Sequence, residues 1–154
     1  MGYTTSFYKN FSVTPTLTPV DRTFLTKFAE TRRMKRKLGP EFGVDGEFFV
    51  DGKGDFGQDD DDSVVDHNRP PATQPGLWCQ WIPNQDGTEI GWDGNEKFNN
   101  YVEWLEYLIK SILKPRGYTL NGQVEWQGES GGDMGRIEVK DNVIKVKTAV
   151  ISYE

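Results

Sequence analysis

The chain has 154 residues, a formal net charge of -6 at neutral pH and a single cysteine, and these features exclude several classes of protein. Cys79 and the lone His67 are too few for a disulfide or for a structural zinc site, which uses four ligands. The net negative charge disfavours binding to duplex nucleic acid, because such binding depends on contacts of Lys and Arg with phosphates. The sequence contains no apolar run of about 18 residues and no signal-peptide pattern, so we expect a cytoplasmic protein without a membrane partner.

Aromatic residues are unusually important for the expected core. Hydrophobic residues make up only 35% of the chain, but aromatic residues alone make up 13%. Each aromatic side chain can bury roughly 150–250 Å², which offsets the shortage of aliphatic residues. We therefore expect one domain, residues 1–154, with a core rich in aromatic rings.

The start of the chain predicts a strand followed by a helix. Residues 3–13 mix Thr, Phe, Tyr and Val, which favour a strand. Thr18 followed by Pro19 and Asp21 is typical of a helix N-terminus. The apolar residues of one helical face are Val20, Phe24, Leu25, Phe28 and Ala29. We expect this helix to reach residue 37, with the cationic run 32–37 at the negative end of its dipole.

Residues 39–76 predict a long loop rich in Gly, Pro and Asp, in which only residues 47–50 resemble a strand. Residues 52–57 read G-x-G-x-x-G, but four aspartates follow where a dinucleotide site needs a helix N-terminus. These aspartates, residues 59–62, together with Asp51 and Asp55, could hold a divalent cation. Since Lys53 and Phe56 break the calcium-loop pattern, we favour a solvated acidic loop and expect no metal and no cofactor.

The second half predicts a hairpin, a helix and further strands. Residues 77–82 and 88–92 flank a turn at 84–87. A helix is expected to open at Asp93 or Asn95 and to stop at Pro115. The apolar residues of its buried stripe are Phe98, Tyr101, Leu105, Leu108, Ile109 and Ile112.

The C-terminal part predicts strand 123–129 and a final hairpin. A two-residue turn at Asp141 and Asn142 sets a register in which apolar residues face apolar ones. The expected pairs are Val139 with Ile144, Glu138 with Lys145, Ile137 with Val146, and Arg136 with Lys147. The element order predicts an α+β fold, an antiparallel sheet of about five to six strands with two helices on one face.

A ligand pocket is expected around the proline-rich segment that leads into strand 77–82. Pro70 and Pro71 stiffen this segment, which would lower the entropy lost on binding. Of its two tryptophans, one should lie in the core and the other in a pocket. The candidate ligand-binding residues are Arg32, Arg33, His67, Asn68, Arg69, Trp78, Gln80 and Trp81. A buried loop whose polar groups satisfy the local backbone, and an ordinary charged helix end, are the alternatives.

Catalytic residues are harder to identify. Glu125 and Glu129, with Asp133 or Glu138, could form a carboxylate pair for acid/base chemistry, although carboxylates on one sheet face are more often solvated. No Ser or Cys has a plausible His partner apart from His67, whose neighbours give no triad signature. We assign no catalytic residue.

Several short runs resemble an uncharacterised family of hypothetical proteins from bacterial and bacteriophage genomes. The resemblance covers nearly the whole chain, and its most specific run is residues 74–81. The other runs are residues 3–7, 31–34, 68–71, 91–93 with 96–98, and 124–142. The resemblance implies an accessory intracellular protein and assigns no catalytic residue.

These observations favour a non-catalytic binding protein. An aromatic and arginine-containing pocket would recognise an anionic small molecule such as a nucleotide, or an acidic protein partner. The alternatives are a carboxylate- or metal-dependent hydrolase and a structural or scaffolding protein of a phage particle.

Overall fold

The computed structural model describes residues 2–50 and 62–150. The strands are β1 Ser6–Tyr8, β2 Phe11–Thr14, β3 Lys35–Arg36, β4 Val64–Asp66, β5 Trp81–Pro83, β6 Glu89–Trp92, β7 Thr119–Gln127, β8 Met134–Lys140 and β9 Val143–Thr148. The helices are α1 Pro19–Glu30 and α2 Tyr101–Leu108, which continues as a π-helical turn, Ile109–Leu113. Two 3-10 turns, Pro40–Phe42 and Val44–Gly46, lie between β3 and β4.

Seven of the described strands form one antiparallel sheet in the order β5-β6-β2-β7-β8-β9, with β1 also paired to β7. Strands β3 and β4 form a separate two-stranded sheet. The predicted α+β class is confirmed, and the large sheet has seven strands where five to six were expected. It gains the extra strand because the predicted strand 3–13 is broken at Lys9, which adopts a positive φ of 72°, and both halves pair with β7.

The last hairpin has the predicted register. Strands β8 and β9 pair Val139 with Ile144 and Ile137 with Val146, and both β8 residues are buried. Burial of one face fixes the register, because a shift by one residue would turn every apolar side chain towards solvent. Glu138 lies opposite Lys145 as expected, but its carboxylate forms ion pairs with its other neighbours, Arg136 and Lys147.

Helix α1 begins as predicted and ends earlier. The Thr18 hydroxyl accepts a hydrogen bond from the Asp21 backbone N–H, so the predicted cap is confirmed. The expected end at residue 37 is wrong, because the helix stops at Glu30 and Thr31 is already extended. The Thr31 hydroxyl donates to the Lys27 carbonyl, and the chain then continues as an extended run towards β3.

Helix α2 also begins later than predicted. Its N-cap is Asn100, in the left-handed conformation, so the expected start at Asp93 or Asn95 is wrong. Phe98 is buried all the same, from the turn before the helix. Most of the remaining stripe is confirmed, since Leu105, Leu108, Ile109 and Ile112 are buried, whereas Tyr101 is partly buried against the core.

Aromatic rings fill the core between α2 and the sheet. The Phe7 ring contacts four other rings with centroid distances between 4.9 and 5.7 Å. All four contacts are edge-to-face, the arrangement that the charge distribution of aromatic rings favours. The four rings are those of Trp81, Trp92, Phe98 and Tyr101. The expected ring-rich core is therefore present.

Candidate functional site

Two arginines of the cationic run point into the protein. Arg33 is only 2% exposed, and its guanidinium donates to the carbonyl oxygens of Glu47 and Phe49 at 3.0 and 2.6 Å. Arg36 is also 2% exposed, with its guanidinium carbon 4.0 Å from the centroid of the Phe49 ring. Burial lowers the pKa of Arg33 to about 10, so the group remains charged at neutral pH. Both side chains attach the run 32–37 to the interior, and Arg33 is placed away from any surface ligand.

The other cations of this run point outwards and meet the segment 63–69. Arg32 Nε donates to the His67 carbonyl oxygen at 2.9 Å, and the Lys35 backbone N–H donates to the Arg69 carbonyl oxygen at 2.8 Å. Asn68 is exposed beside them, and its backbone N–H donates a hydrogen bond to the Asp66 carboxylate. The structure therefore brings together four of the predicted residues, Arg32, His67, Asn68 and Arg69. We call Arg32, His67 and Arg69, with Lys35, which was not predicted, the cationic strip.

The two tryptophans occupy different environments. Trp81 is 1% exposed, and its indole N–H donates to the Tyr101 carbonyl oxygen. Trp78 is half-buried and, with Gln80, lines an open cleft of about 680 Å³. Trp81 is therefore the expected core indole. Of the residues expected to share a pocket with the other indole, Gln80 lies beside Trp78 in the described lining of this cleft, and His67, Asn68 and Arg69 do not.

The cleft at Trp78 is acidic. Its lining includes Glu30, Asp93 and Glu96, and none of the predicted arginines is among the described residues that form it. Partial burial raises the pKa of Asp93 by desolvation. The Gln80 side-chain amide donates to the Glu96 backbone carbonyl, so it is held in place. The eight predicted residues thus divide between the core, this cleft and the surface, and ligand binding by them stays a prediction.

Three of the carboxylates considered for acid/base chemistry contact different partners; they are Glu125, Asp133 and Glu138. Glu125 forms an ion pair with a lysine 2.9 Å away. A hydrogen bond from Tyr3 lowers the pKa of Asp133, and one from Lys147 lowers the pKa of Glu138. A general acid at neutral pH needs a raised pKa. The pKa values of Asp133 and Glu138 are shifted in the opposite direction, so these two groups do not favour the hydrolase alternative.

Within residues 2–50 and 62–150, no three His, Cys, Asp or Glu side chains are grouped as metal ligands would be. The G-x-G-x-x-G motif and most of the acidic run 59–62 lie outside the described residues. Cys79 was expected to be an inert core thiol. It is fully buried, and burial raises its pKa to about 12.

A buried polar network was not predicted. The Glu47 carboxylate accepts hydrogen bonds from the hydroxyls of Thr73 and Tyr107 at 3.0 and 2.8 Å. The Gln74 side-chain N–H₂ donates to the Glu47 carbonyl oxygen and to the Tyr107 hydroxyl. Residues 47–50 do not form the strand that the sequence suggested, because a 3-10 turn precedes them. No local pattern connects three polar residues that lie so far apart in the chain.

The chain is similar to an uncharacterised viral protein. Over 78 residues, or 49% of this chain, it is 37% identical to Uncharacterized protein UL20 of human cytomegalovirus strain AD169. The matched part spans 19% of that protein, whose name assigns no activity. No protein-family model matches the chain, and no solved structure matches it. The comparison supports a viral relation and gives no support to the bacterial part of the expected family.

No helix in the described part of the chain is both long enough and apolar enough to span a bilayer.

Proposed function

We propose that the protein is a non-catalytic binding protein that recognises an acidic partner through the cationic strip. The observation that carries this proposal is the pairing of residues 32–36 with residues 64–69. The Arg32 side chain bonds to the backbone of His67, and the Lys35 backbone bonds to that of Arg69. The buried side chains of Arg33 and Arg36 hold these paired segments against the core. A strip on a fixed backbone loses less entropy on binding than one on a free loop.

The exposure of the strip favours an extended acidic surface over an enclosed ligand. The Arg69 side chain is 80% exposed and has a long ion-pair distance of 3.5 Å to Asp66, so it can rearrange towards a partner. Arginine also forms two parallel hydrogen bonds with a carboxylate, which gives geometric specificity. In the bacteriophage setting that the sequence resemblance suggests, the partner would be a host protein. An anionic small molecule such as a nucleotide is the second ligand class for the same strip.

Fluorescence anisotropy with a labelled peptide rich in Glu and Asp tests the proposal. The double variant R32Q/R69Q should bind roughly 5- to 30-fold more weakly if each charge contributes about 0.5–1 kcal/mol. Added salt should weaken binding further, because exposed charges are screened. The matched control K140Q/K145Q removes the same charge from strands β8 and β9 and should bind as the wild type does.

ATP serves as the small-molecule probe in the same experiment. Displacement of the peptide by ATP at low concentration, with the same sensitivity to R32Q/R69Q, would assign the strip to nucleotides. Equal losses in both double variants would show non-specific attraction and overturn the proposal. Absence of binding to either probe would also overturn it.

A further inference from the structure

The large sheet ends at an open strand edge. Strand β9, Val143–Thr148, pairs with β8 on one side, and among the strands that the structure describes none pairs with its other side. The Ala149 N–H donates to the Met134 carbonyl oxygen at the start of β8, and the direction of the backbone groups alternates along a strand. The N–H and C=O groups that point away from the sheet are therefore those of Ile144, Val146 and Thr148. We call these three residues the β9 edge.

One face of β9 continues the apolar face of the sheet. Val146 lies opposite Ile137 of β8 on the side that packs against the core. Ile144 lies opposite Val139 on the same side. Val146 is 48% exposed although Ile137 is fully buried, so the apolar face of the described sheet extends to its edge. An added strand would cover Val146 if it placed β-branched residues on this face.

The opposite face of β8 and β9 is basic. These two strands place four cations and one carboxylate on it, in a chain whose net charge is -6. The carboxylate is Glu138, which pairs with Arg136 and Lys147. The four cations are Arg136, Lys140, Lys145 and Lys147. This face therefore favours carboxylates on an added strand, because opposite charges on neighbouring strands attract.

The same lysines disfavour a second copy of this chain as the added strand. Residues of the same face must lie opposite each other when two copies of β9 pair. A pairing centred on Lys145 places two copies of that lysine together, and one centred on Val146 places Lys145 opposite Lys147. A pairing centred on Ile144 uses only half of the strand before the turn. Like charges in opposite positions are destabilising, and lysines on an edge strand oppose association between edges.

We propose that the β9 edge binds an extended acidic segment of a partner protein, which adds to the sheet as a further antiparallel strand. Alternate residues of this segment are β-branched and cover Ile144 and Val146. The residues between them are Asp or Glu and lie beside Lys145 and Lys147. In this mode of recognition the backbone hydrogen bonds supply affinity, and the alternation of side chains supplies specificity.

The β9 edge is independent of the cationic strip. It lies on the large sheet, whereas the strip lies on and beside β3 and β4. The edge recognises a backbone conformation and the strip recognises charge. A peptide of Glu and Asp alone lacks the β-branched residues that cover Val146, so it is a probe for the strip and not for the edge.

Fluorescence anisotropy with the labelled peptide Ser-Thr-Glu-Val-Glu-Val-Thr-Ser tests the proposal. In the proposed register each Val N–H donates to β9, and each Glu N–H points to solvent. Methylating the N–H of the first Val should weaken binding by about 10-fold or more, because one hydrogen bond is lost and its acceptor is covered. Methylating the N–H of the second Glu should leave the affinity nearly unchanged. Equal effects of the two methyl groups, or no saturable binding, would overturn the proposal.

Amide hydrogen exchange, followed by NMR of the ¹⁵N-labelled protein, gives a readout for each residue. The bound peptide should protect the N–H groups of Ile144, Val146 and Thr148. The N–H groups of Lys145 and Lys147 should change little, because they already point towards β8. Uniform protection along the strand would show general stabilisation without an added strand and would contradict the proposal.

Variants of β9 separate charge from backbone pairing. The double variant K145Q/K147Q should weaken binding about 2- to 30-fold. The matched control R32Q/R69Q removes the same charge from the cationic strip and should bind as the wild type does. Equal losses in the two double variants would refute the assigned edge.

The variant V146P removes an N–H that points away from β8, a position at which an edge strand tolerates proline. It should abolish binding while its urea unfolding midpoint shows that the fold is retained. Wild-type affinity in both K145Q/K147Q and a folded V146P would refute the proposal. Sedimentation of the free protein as a dimer that V146P dissociates would assign the edge to a second copy and also overturn it.

Discussion

The guanidinium carbon of Arg33 lies 4.1 Å from the centroid of the Phe28 ring, at the point where helix α1 gives way to the extended run. Stacking of this kind is stronger when the cation is desolvated, and Arg33 is almost wholly buried. The same group donates to the carbonyl oxygens of Glu47 and Phe49. One side chain thus connects the helix, the extended run and the turn that carries the buried network.

Replacing Arg33 by Met should strongly destabilise the fold. The Phe49 carbonyl oxygen would lose its donor, at a cost of about 1–3 kcal/mol for a group left unsatisfied, and the Glu47 carbonyl oxygen would keep only its bond from the Gln74 side chain. The measurement is urea unfolding followed by tryptophan fluorescence. Lys37→Met, in the same cationic run but exposed, is the control and should change the free energy of unfolding by less than about 0.5 kcal/mol. Similar losses in both variants would contradict the structural role of Arg33.

Tyr107→Phe should lower the free energy of unfolding by about 1–3 kcal/mol. The substitution keeps the ring contacts with Phe28 and Trp104 and removes the hydroxyl that bridges Glu47 and Gln74. Tyr8→Phe removes an equivalent hydroxyl from a residue that is 52% exposed, so it should be nearly neutral. Thermal and chemical unfolding of the two variants side by side provide the comparison. A neutral Tyr107→Phe would mean that the network contributes nothing to stability.

Gly135→Ala should destabilise the sheet. A Cβ at this position would lie 2.5 Å from the Trp126 ring and 2.3 Å from the Lys147 carbonyl oxygen, and overpacking of this kind costs roughly 1–3 kcal/mol. Gly131→Ala is the control, because its Cβ would meet nothing within 4 Å. We expect the melting temperature to fall for the first variant and to stay within error or rise slightly for the second. The reverse order would show that β7 and β8 do not approach as described.

Alkaline pH should reveal the burial of Cys79. The pKa of its thiol is raised to about 12 in the folded protein, against about 8.5 in an unfolded chain. Between these values the unfolded state loses the proton and the folded state keeps it, so stability falls as pH rises. The slope approaches about 1.4 kcal/mol per pH unit.

The readout is the difference in slope between wild type and Cys79→Ala, from urea unfolding at several pH values between about 8 and about 10.5. The variant should show a shallower decline, while tyrosines and lysines titrate equally in both proteins. Parallel slopes would mean that the thiol ionises as readily in the folded state as in the unfolded one.

Local patterns in the sequence predict part of this fold well. The Asp141–Asn142 turn and the alternation on both sides of it determine the last hairpin. The cap at Thr18 and most of the apolar stripe of α2 follow equally from neighbouring residues. Such features depend on contacts between residues close in sequence, which pattern reasoning can detect.

Features that depend on distant partners were missed or misassigned. Helical spacing placed the cationic run in a helix, because nothing nearby in sequence shows that Arg33 and Arg36 are buried against Phe28 and Phe49. The bond between Gln74 and Glu47 spans 27 residues, and neither residue is unusual in its local sequence. Long-range desolvated contacts of this kind are set by tertiary packing, which overrides local propensity.

The alternation of inward and outward cations in the extended run 32–36 makes the protein intolerant of insertions and deletions there. Arg33, Met34 and Arg36 are buried while Arg32 and Lys35 are more exposed, so adding or removing one residue would place the wrong side chains at the buried positions. The interior carbonyl oxygens would then face side chains of the wrong length, and the outer surface would lose its arrangement of charge at the same time. Homologues of this chain should therefore vary in length on either side of this run and keep its spacing constant.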